Sequence, residues 1–362
     1  KHNLLSWWTY KIGVSYMSFT RDDIDPEDSI DTTENNVSTW DGSNSKLDFM
    51  SIFKIQDFNI LTLGADLLNE KGKNTSSYAA EPSIFEEKSI ITKSFFVHDA
   101  LSIFEMLFLN GGLRLDDHET FGTHWTWDAS AAFIVPVTKT KLKGSVGTGF
   151  RAPSMYELYG KDAGNEDLKP EKSFIYDAGI YQEIVDGLLS FDVTFFRQKY
   201  HDKIEWHSTG AYTGYYDNSD GEVKNKGVEA GTVLKPGDFL KIAYSYTYIK
   251  YEKKDDNQFT SKRPRHKHSA FVTITPFTGL DISGIYVFVD ERGDIYYPAP
   301  AYTETRVKLD PYHRFDMNIR YAINEMFTIT ARGENLNNAD YMETYGYNTK
   351  ERSFYGGLEL VL

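Results

Sequence analysis

Strict alternation of apolar and polar side chains recurs along this 362-residue chain and restricts its fold more than any other feature. The pattern is clearest in five segments, which are 107–116, 189–198, 240–248, 314–321 and 327–334. Successive side chains of a β-strand point to opposite faces, whereas those of a helix repeat every 3.6 residues. A period of two therefore predicts a chain built from strands.

The polar face of these strands carries full charges of both signs. In segment 314–321, for example, Phe315 and Met317 alternate with Arg314 and Asp316. A dry core does not tolerate such charges, so one face must be wet while the other contacts lipid or a hydrophobic core. A soluble β-sandwich with solvent on its outer faces would alternate in the same way. The connections between the strands must decide between the two.

Short connections alternate with long polar ones along the chain. The short ones are predicted near residues 56–58, 104–105, 136–138, 185–187, 235–238, 276–279 and 323–325. The long ones are predicted near residues 20–44, 70–89, 117–123, 152–170, 201–221, 251–265, 291–312 and 341–352. Bacterial outer-membrane barrels have short periplasmic turns and long extracellular loops. The sequence therefore predicts one all-β domain over residues 1–362, an antiparallel transmembrane β-barrel with about sixteen strands.

Composition supports a membrane barrel and excludes several alternatives. Aromatic residues make up 15% of the chain, which suits the two interfacial girdles of such a barrel. No stretch approaches the roughly 18 consecutive apolar residues of a helical span. A net charge of -14 argues against a nucleic-acid partner. With no cysteine in the chain, disulfides and thiolate metal sites are excluded, and we expect neither a cofactor nor a metal.

Two short runs between residues 144 and 173 are placed where one strand ends and the next begins. Pro153 fixes its own φ and disfavours helical geometry at Ala152, so the first strand should end near Arg151. Pro170 marks the start of the second strand, because proline is tolerated at a first strand position. The two runs consist of Phe150, Arg151, Ala152 and Pro153, and of Asn165, Glu166, Asp167, Leu168, Lys169, Pro170 and Glu171.

Together and in this order, the two runs resemble a motif in the barrels of TonB-dependent outer-membrane receptors. The chain end supports the resemblance, because YGGLELVL is similar to the C-terminal assembly signal of outer-membrane barrels, with Leu in place of the common final Phe. The residues that carry this signal are Tyr355, Gly357, Leu360 and Leu362. The resemblance implies a bacterial outer-membrane location and insertion by the barrel-assembly machinery.

The resemblance also implies parts that this chain does not show. The resemblance implies a 22-stranded barrel that is filled by an N-terminal plug domain. In this family the plug carries the segment that binds TonB. The chain has neither a plug nor room for six further strands. We favour the interpretation that residues 1–362 are the C-terminal part of a longer receptor, because a plugless barrel would be an open pore. A shortened, plugless relative is the alternative.

The function implied by the resemblance is uptake of a scarce, bulky nutrient, a siderophore or a cobalamin-like molecule, and needs no covalent step. Haem is disfavoured because residues 154–164 contain no histidine. Aromatic side chains in the long connections are the candidate ligand contacts. They are Trp40, Tyr156, Tyr159, Tyr212, Tyr215, Tyr216, Tyr296, Tyr297 and Tyr302.

Two other functions stay open as alternatives. A passive plugless pore is the second hypothesis. A barrel hydrolase is a distant third, and it would draw on Asp116, Asp117, His118 and Asp128, a set that chance supplies readily in a chain with nine histidines. We expect that this protein is not an enzyme.

A basic cluster precedes one of the later strands. It consists of Arg263, Arg265, His266, Lys267 and His268. The expected role is contact with lipopolysaccharide phosphates or simple solvation. His266 and His268 share a strand face. Outer-membrane lipid and lipopolysaccharide are therefore expected partners, together with the nutrient and, through a plug, the TonB system.

Overall fold

Antiparallel strands dominate the computed structural model, which describes residues 2–26, 36–78, 81–160, 163–210, 213–252, 262–298 and 304–361. Among these residues no helix is long and apolar enough to cross a membrane. The described residues form one short helix, α1 (Met155–Tyr159), and twenty-one strands. The strands are β1 (His2–Leu5), β2 (Trp8–Asp25), β3 (Asn36–Ile55), β4 (Asn59–Tyr78), β5 (Glu81–Ile103), β6 (Leu107–His118), β7 (Gly122–Val135), β8 (Thr140–Arg151), β9 (Glu171–Val185), β10 (Leu189–His201), β11 (Ile204–Gly210), β12 (Thr213–Asn218), β13 (Val223–Gly237), β14 (Leu240–Glu252), β15 (His266–Phe277), β16 (Leu280–Val289), β17 (Arg292–Tyr296), β18 (Thr305–Leu309), β19 (Tyr312–Ala322), β20 (Phe327–Glu334) and β21 (Ser353–Leu360).

One sheet contains seventeen of these strands, and the remaining four form two separate hairpins, β11–β12 and β17–β18. All five segments of clear alternation lie in strands of the large sheet, so this part of the prediction is confirmed. The predicted count of about sixteen strands matches the sixteen strands of the large sheet other than β1. The seventeenth is β1, whose four residues are too few to show a periodic pattern.

Several connections predicted as loops are partly strands, and here the prediction was wrong. Residues 20–44 and 70–89 mostly continue the ladders, because β2 pairs with β3 as far as Asp25↔Asn36 and β4 pairs with β5 as far as Tyr78↔Glu81. Trp40 consequently lies in β3 and not in a loop. The loop-side ends of these strands are rich in Asp, Ser, Thr and Asn on both faces. The sequence there has no apolar face, so the two-residue alternation that identifies a strand is missing.

Two compact units divide the chain. Unit 1 comprises residues 1–131, 145–174 and 200–222, and unit 2 comprises residues 132–144, 175–199 and 223–362. Unit 1 contains β1 to β6, α1 and the hairpin β11–β12. Unit 2 contains β13 to β21, including the hairpin β17–β18.

The wet face of unit 1 is held by an ion-pair network. Arg114 in β6 contacts Asp66 in β4 at 3.0 Å and Asp116 at 2.9 Å. Lys46 in β3 approaches Asp66 at 3.5 Å, and Ser94 in β5 donates to Asp116 at 2.5 Å. Ser94 and Asp116 are almost fully buried. The charges of both signs inferred from alternation are therefore paired across neighbouring strands.

Unit 2 repeats this arrangement with fewer charges. Lys143 in β8 contacts Asp192 in β10 at 2.7 Å, and Arg314 contacts Asp316 within β19 at 3.1 Å. On the opposite face of β19, Phe315 and Met317 are among the exposed large apolar side chains. The alternation thus separates a charged face from an apolar one, as the sequence predicts.

Gly227 in β13 sits where no side chain fits, and we predict that Gly227→Ala destabilises unit 2. A Cβ at this position would overlap the backbone carbonyl oxygen of Tyr248 and the ring of Phe196. Backbone atoms cannot move aside without breaking the β13–β14 ladder, so we expect a loss of about 2 kcal/mol, typical of overpacking. The urea midpoint of the folded protein in detergent measures this loss.

The matched control is Gly231→Ala, four residues further along the same strand. Its Cβ would lie 3.8 Å from the carbonyl oxygen of Tyr244, an ordinary contact distance. We expect an unchanged urea midpoint for this variant. Equal midpoints for both alanine variants would contradict the overlap at Gly227.

Candidate ligand-binding site

Helix α1 begins directly after the first run of the motif, and its start is encoded locally. Pro153 ends the extended segment, and Ser154 then caps the helix by accepting a hydrogen bond from the Glu157 backbone N–H at 3.2 Å. The Glu157 carboxylate accepts from the Ser154 N–H at 2.6 Å, which completes a capping box. This pairing stabilises a helix of only five residues in a connection predicted as a loop.

Arg151 joins three elements at the end of β8. Its guanidinium donates to both carboxylate oxygens of Glu157, at 2.9 and 3.2 Å, and to both of Glu171 at the start of β9, at 3.0 and 2.8 Å. Glu171 also accepts from the Ile204 N–H in β11 at 2.9 Å. Planar, two-pronged contacts of this kind are what arginine makes with carboxylates. The motif arginine therefore fixes where β8, α1, β9 and β11 meet.

Asparagine side chains attach the hairpin β11–β12 to the second run of the motif. Asn165 donates to the Tyr216 carbonyl at 3.0 Å and accepts from the Asp167 N–H at 3.0 Å. Asn218 accepts from the Lys169 N–H at 2.8 Å and donates back to the Lys169 carbonyl at 2.9 Å. The loop and the hairpin are thus joined by amide groups that mimic backbone pairing.

A small apolar core lies beneath these polar contacts. Leu158 of α1, Leu168 of the second run, Ile90 of β5 and Ile204 of β11 are all buried and pack together. Leu158 is only 2% exposed. Burying a leucine or isoleucine side chain contributes roughly 1.5–3 kcal/mol, so this core stabilises the packing of α1 and the second run against β5 and β11.

Four aromatic rings form a continuous row above this core. Trp40 of β3 meets Tyr156 of α1 edge-on with ring centroids 5.1 Å apart, and Tyr156 meets Tyr216 of β12 at 6.0 Å. Tyr216 in turn meets Trp206 of β11 at 5.1 Å. Tyr156 and Trp206 remain 37% and 41% exposed, so the row presents open ring surface. We call these four residues the aromatic row.

A cavity of about 420 Å³ opens beside the aromatic row. Its apolar wall includes Trp40, Phe85 and Tyr156, and its polar wall includes Lys71 and His118. The volume lies in the range usual for small-molecule sites, which are mostly apolar with a few directed polar groups. The cavity and the exposed rings together can accept a large, partly apolar ligand.

The electrostatics of the site stabilise its ionised form. Burial alone would raise the pKa of Glu157, but hydrogen bonds from Arg151 and Ser154 outweigh this effect and hold its pKa below the usual value. Burial raises the pKa of the Tyr216 phenol, with smaller contributions from Tyr156 and Glu157. At neutral pH the site therefore contains an ionised Glu157 held by Arg151 and an uncharged Tyr216 phenol.

The other aromatic candidates lie in different surroundings. Tyr159 stacks on Phe85 at 6.1 Å, which makes it part of the packing under the row. Tyr215 points to the other side of β12 and stacks on His207 at 5.6 Å. Two further candidates belong to unit 2, where Tyr296 packs on Tyr345 at 4.4 Å and Tyr297 is exposed. Tyr212 and Tyr302 lie outside the described residues.

The remaining motif residues have structural contacts. Phe150 stacks on His124 at 4.8 Å, and Pro153 and Pro170 are buried. At the chain end, Tyr355 lies under the Arg332 guanidinium at 4.6 Å. Gly357 and Leu360 lie in β21, whereas Leu362 lies outside the described residues.

Two of the four residues weighed for a hydrolase, Asp116 and His118, have structural contacts. Asp116 is bound by Arg114 and Ser94, and His118 accepts through Nδ1 from the Thr120 N–H at 3.2 Å. Asp117 is in β6 between these two residues, so its side chain points to the opposite face of the strand. These contacts account for Asp116 and His118 structurally.

Two residues of the site were missed in the sequence. Glu157 was detectable, because Ser154-Met155-Tyr156-Glu157 has the Ser-x-x-Glu spacing of a capping box. Trp206 was also detectable in part, since Ile204 and Trp206 alternate with polar neighbours inside a connection predicted as a loop.

These observations define a class of protein. Strand β3, helix α1 and the hairpin β11–β12 together form the aromatic row. The strands have one apolar and one charged face, and their connections alternate between short turns and long loops. This is the all-β fold of an antiparallel transmembrane β-barrel with short periplasmic turns and long extracellular loops.

The family follows from comparison with known proteins. Residues 1–336 match the model of the family described as TonB dependent receptor-like, beta-barrel. The chain therefore belongs to the TonB-dependent receptor barrel family, whose members are receptors and transporters of the bacterial outer membrane.

Individual relatives are similar over most of this chain. The vitamin B12 transporter BtuB of Photobacterium profundum is 28% identical over 333 residues, which are 89% of this chain and 49% of that protein. The BtuB of Vibrio cholerae is 28% identical over 251 residues, which are 68% and 39% of the two chains. The chain thus spans about half or less of the length of these relatives.

Solved structures agree in fold. The siderophore receptor PirA from Acinetobacter baumannii superposes with a TM-score of 0.80 at 18% identity, covering 98% of this chain and 60% of that one. The copper transporter OprC superposes with a TM-score of 0.81 at 15% identity, covering 98% and 62%. At these identities the likeness shows the fold alone.

Proposed function

We propose that this chain is the nutrient-binding barrel of a TonB-dependent outer-membrane receptor that takes up a siderophore or a cobalamin-like molecule. The aromatic row with its adjoining cavity is the observation that carries the proposal. It offers the exposed rings of Tyr156 and Trp206 and the buried ring of Phe85 next to Lys71 and His118. The names of the relatives, a vitamin B12 transporter and a siderophore receptor, support these two ligand classes.

The candidate ligand contacts divide into two groups under this proposal. Trp40, Tyr156 and Tyr216 contact the nutrient directly, because they share the aromatic row. The motif residues Phe150 to Pro153 and Asn165 to Glu171 position that row through the Arg151 clamp and the asparagine contacts. Tyr159 supports the row from below by packing on Phe85.

We also propose that residues 1–362 form the C-terminal, barrel part of a longer receptor. The matched relatives have about twice this length, which leaves room for a plug domain and for further strands. The plug would carry the TonB contact. Outer-membrane lipid, lipopolysaccharide and the barrel-assembly machinery are the other partners that this location requires, and Tyr355, Gly357, Leu360 and Leu362 would form the assembly signal. The activity is binding and transport, with no covalent step.

Replacing the aromatic side chains of the row by alanine tests whether the row binds the nutrient. We expect Trp40→Ala and Tyr156→Ala each to weaken binding about tenfold, because an aromatic anchor in a binding site is worth roughly 1–2 kcal/mol. Titration of the purified receptor with vitamin B12 and with ferric enterobactin, followed by intrinsic tryptophan fluorescence or equilibrium dialysis, measures the effect and separates the two ligand classes.

Tyr347→Ala is the matched control, because Tyr347 is also a loop tyrosine, is 73% exposed and lies outside the row in unit 2. Its binding should equal that of the unaltered receptor. If both row variants bound their ligand as tightly as the control, the aromatic row would not be the nutrient site.

A further inference from the structure

Three tyrosine–histidine pairs form a continuous band on one face of unit 2. In each pair a tyrosine Oη lies within hydrogen-bonding distance of a histidine Nδ1. The pairs are Tyr244–His268 at 2.6 Å, Tyr246–His266 at 2.8 Å and Tyr286–His313 at 2.7 Å. We call these six residues the Tyr–His band. Phe288 links them, because its ring centroid lies 5.5 Å from that of His268 and 4.8 Å from that of His313.

Strand register places the whole band on one face. Tyr246 of β14 opposes His268 of β15, His268 opposes Phe288 of β16, and Phe288 opposes His313 of β19. Side chains directly opposite each other in a ladder share a face. Arg314, the neighbour of His313 in β19, points to the other, charged face, where it binds Asp316. The band therefore lies on the face away from these charges.

The band is continuous with the lipid-facing surface. On the same face and towards the short turns, the side chains are apolar, including Ile242, Val272, Ile274, Met317 and Ile319. In an outer-membrane barrel this apolar face contacts lipid. His268 lies nine residues from Phe277, the last residue of β15, and a tilted strand crosses the hydrocarbon core in about 9–11 residues. The band is thus at the loop end of the apolar face, at the level of the outer-leaflet headgroups.

The hydrogen bond within each pair leaves one donor of that pair unused. Either the phenol O–H donates to Nδ1 and the ring proton stays on Nε2, or Nδ1–H donates to the phenol oxygen and the phenol O–H stays unused. Within the described part of the chain, the side chains of His266, His268 and His313 make hydrogen bonds only through Nδ1. A donor without an acceptor is costly in an apolar environment, and lipid tails offer no acceptor. The unused donor of each pair therefore requires a polar acceptor at this depth.

Phosphate oxygens are the strong acceptors of the headgroup layer. We propose that the Tyr–His band binds the phosphate-bearing headgroup of an outer-leaflet lipid through the unused donor of each of its three tyrosine–histidine pairs. This inference rests on the proposed outer-membrane receptor function. Arg263 and Arg265 precede β15 on the loop side and add positive charge next to the band. The rings set the depth of the barrel, and the unused donors of the pairs select lipids that carry phosphate.

Native mass spectrometry of the detergent-purified receptor tests the proposal with two probes, lipopolysaccharide with intact phosphates and the same material after enzymatic dephosphorylation. The variant replaces His266, His268 and His313 by Phe, which keeps three rings and removes three donors. We expect it to bind intact lipopolysaccharide about tenfold more weakly, equivalent to roughly 1.4 kcal/mol. Binding of the dephosphorylated probe should not change. The matched control replaces His2, His98 and His201 by Phe and should bind both probes normally.

Each other outcome overturns the proposal. Equal binding of intact lipopolysaccharide by the variant and the unaltered receptor would show that the histidines do not bind phosphate. Equal loss for both probes would make the band an anchor of rings alone. Full displacement of lipopolysaccharide by inorganic phosphate at the same concentration would assign the site to free phosphate. Nutrient titration of the same variant should be normal, which separates this test from that of the aromatic row.

Discussion

Replacing Arg151 by alanine should weaken nutrient binding about thirtyfold while the large sheet stays intact. The guanidinium neutralises Glu157 and Glu171, whose side chains are only 15% and 16% exposed. Breaking a buried pair costs about 3–5 kcal/mol, and we reduce this to about 2 kcal/mol because Arg151 itself is nearly half exposed. That energy corresponds to roughly thirtyfold in affinity if the aromatic row is ordered only when the clamp is formed. Titration of the variant and of the unaltered receptor with the nutrient measures this change in affinity.

Two further variants make the result specific. Arg21→Ala removes an ion pair of similar length, 2.8 Å to Asp23, from a site where both side chains are well exposed, and it should leave binding unchanged. Arg151→Lys keeps the charge but loses the planar fork that reaches two carboxylates, so its affinity should be intermediate. Normal binding by Arg151→Ala would mean that the motif does not position the ligand site.

The strands of this protein could be predicted from sequence because their pattern is local. Residues 327–334 were assigned from alternation alone, and β20 spans Phe327–Glu334. The prolines likewise located the end of β8 at Arg151 and the start of β9 at Glu171. Each inference needed only the two faces of a strand or the fixed φ of a proline, and neither depends on distant residues.

The ligand site could be predicted only in composition. Trp40 and Tyr156 were both candidates, but their contact joins β3 to α1 across more than a hundred residues, and no local period encodes such a contact. The hairpin β11–β12 was hidden because amide contacts such as Asn218 with Lys169 hold it in place, and polar residues of this kind also occur in irregular loops. Long-range packing selected three of the seven aromatic candidates that lie in the described residues for the row.

The Asp294→Asn variant should release the hairpin β17–β18 from the connection between β20 and β21. The Asp294 side chain is fully buried. One of its oxygens accepts from the Ile295 N–H at 2.8 Å and contacts Lys262 Nζ at 3.2 Å, and the other accepts from the Tyr345 N–H at 2.8 Å. Asparagine has one acceptor oxygen, so its amide N–H group would face a donor. We expect a local loss of about 2 kcal/mol, the usual cost of an unsatisfied buried group.

Hydrogen exchange followed by mass spectrometry locates this loss. Exchange should rise about thirtyfold in peptides that contain Ile295 or Tyr345, since 2 kcal/mol of local opening corresponds to that factor. Glu291→Gln is the control, because the pair of Glu291 with Lys308 in the same hairpin is well exposed on both sides and should contribute little. Faster exchange in the control as well would point to the hairpin charge and not to the buried carboxylate.

The same contacts make the stability of this hairpin depend on pH in the acidic range. Burial alone would raise the pKa of Asp294, but its backbone donors and Lys262 outweigh burial and hold the pKa below the usual value. The stabilisation is therefore complete above the unfolded pKa of about 3.9 and is lost as the pH falls through the lower folded pKa. Exchange at Tyr345 should rise below about pH 4 in the unaltered protein and lose this dependence in Asp294→Asn. An identical pH profile in both proteins would show that Arg292, which donates to the Met342 carbonyl, holds the hairpin instead.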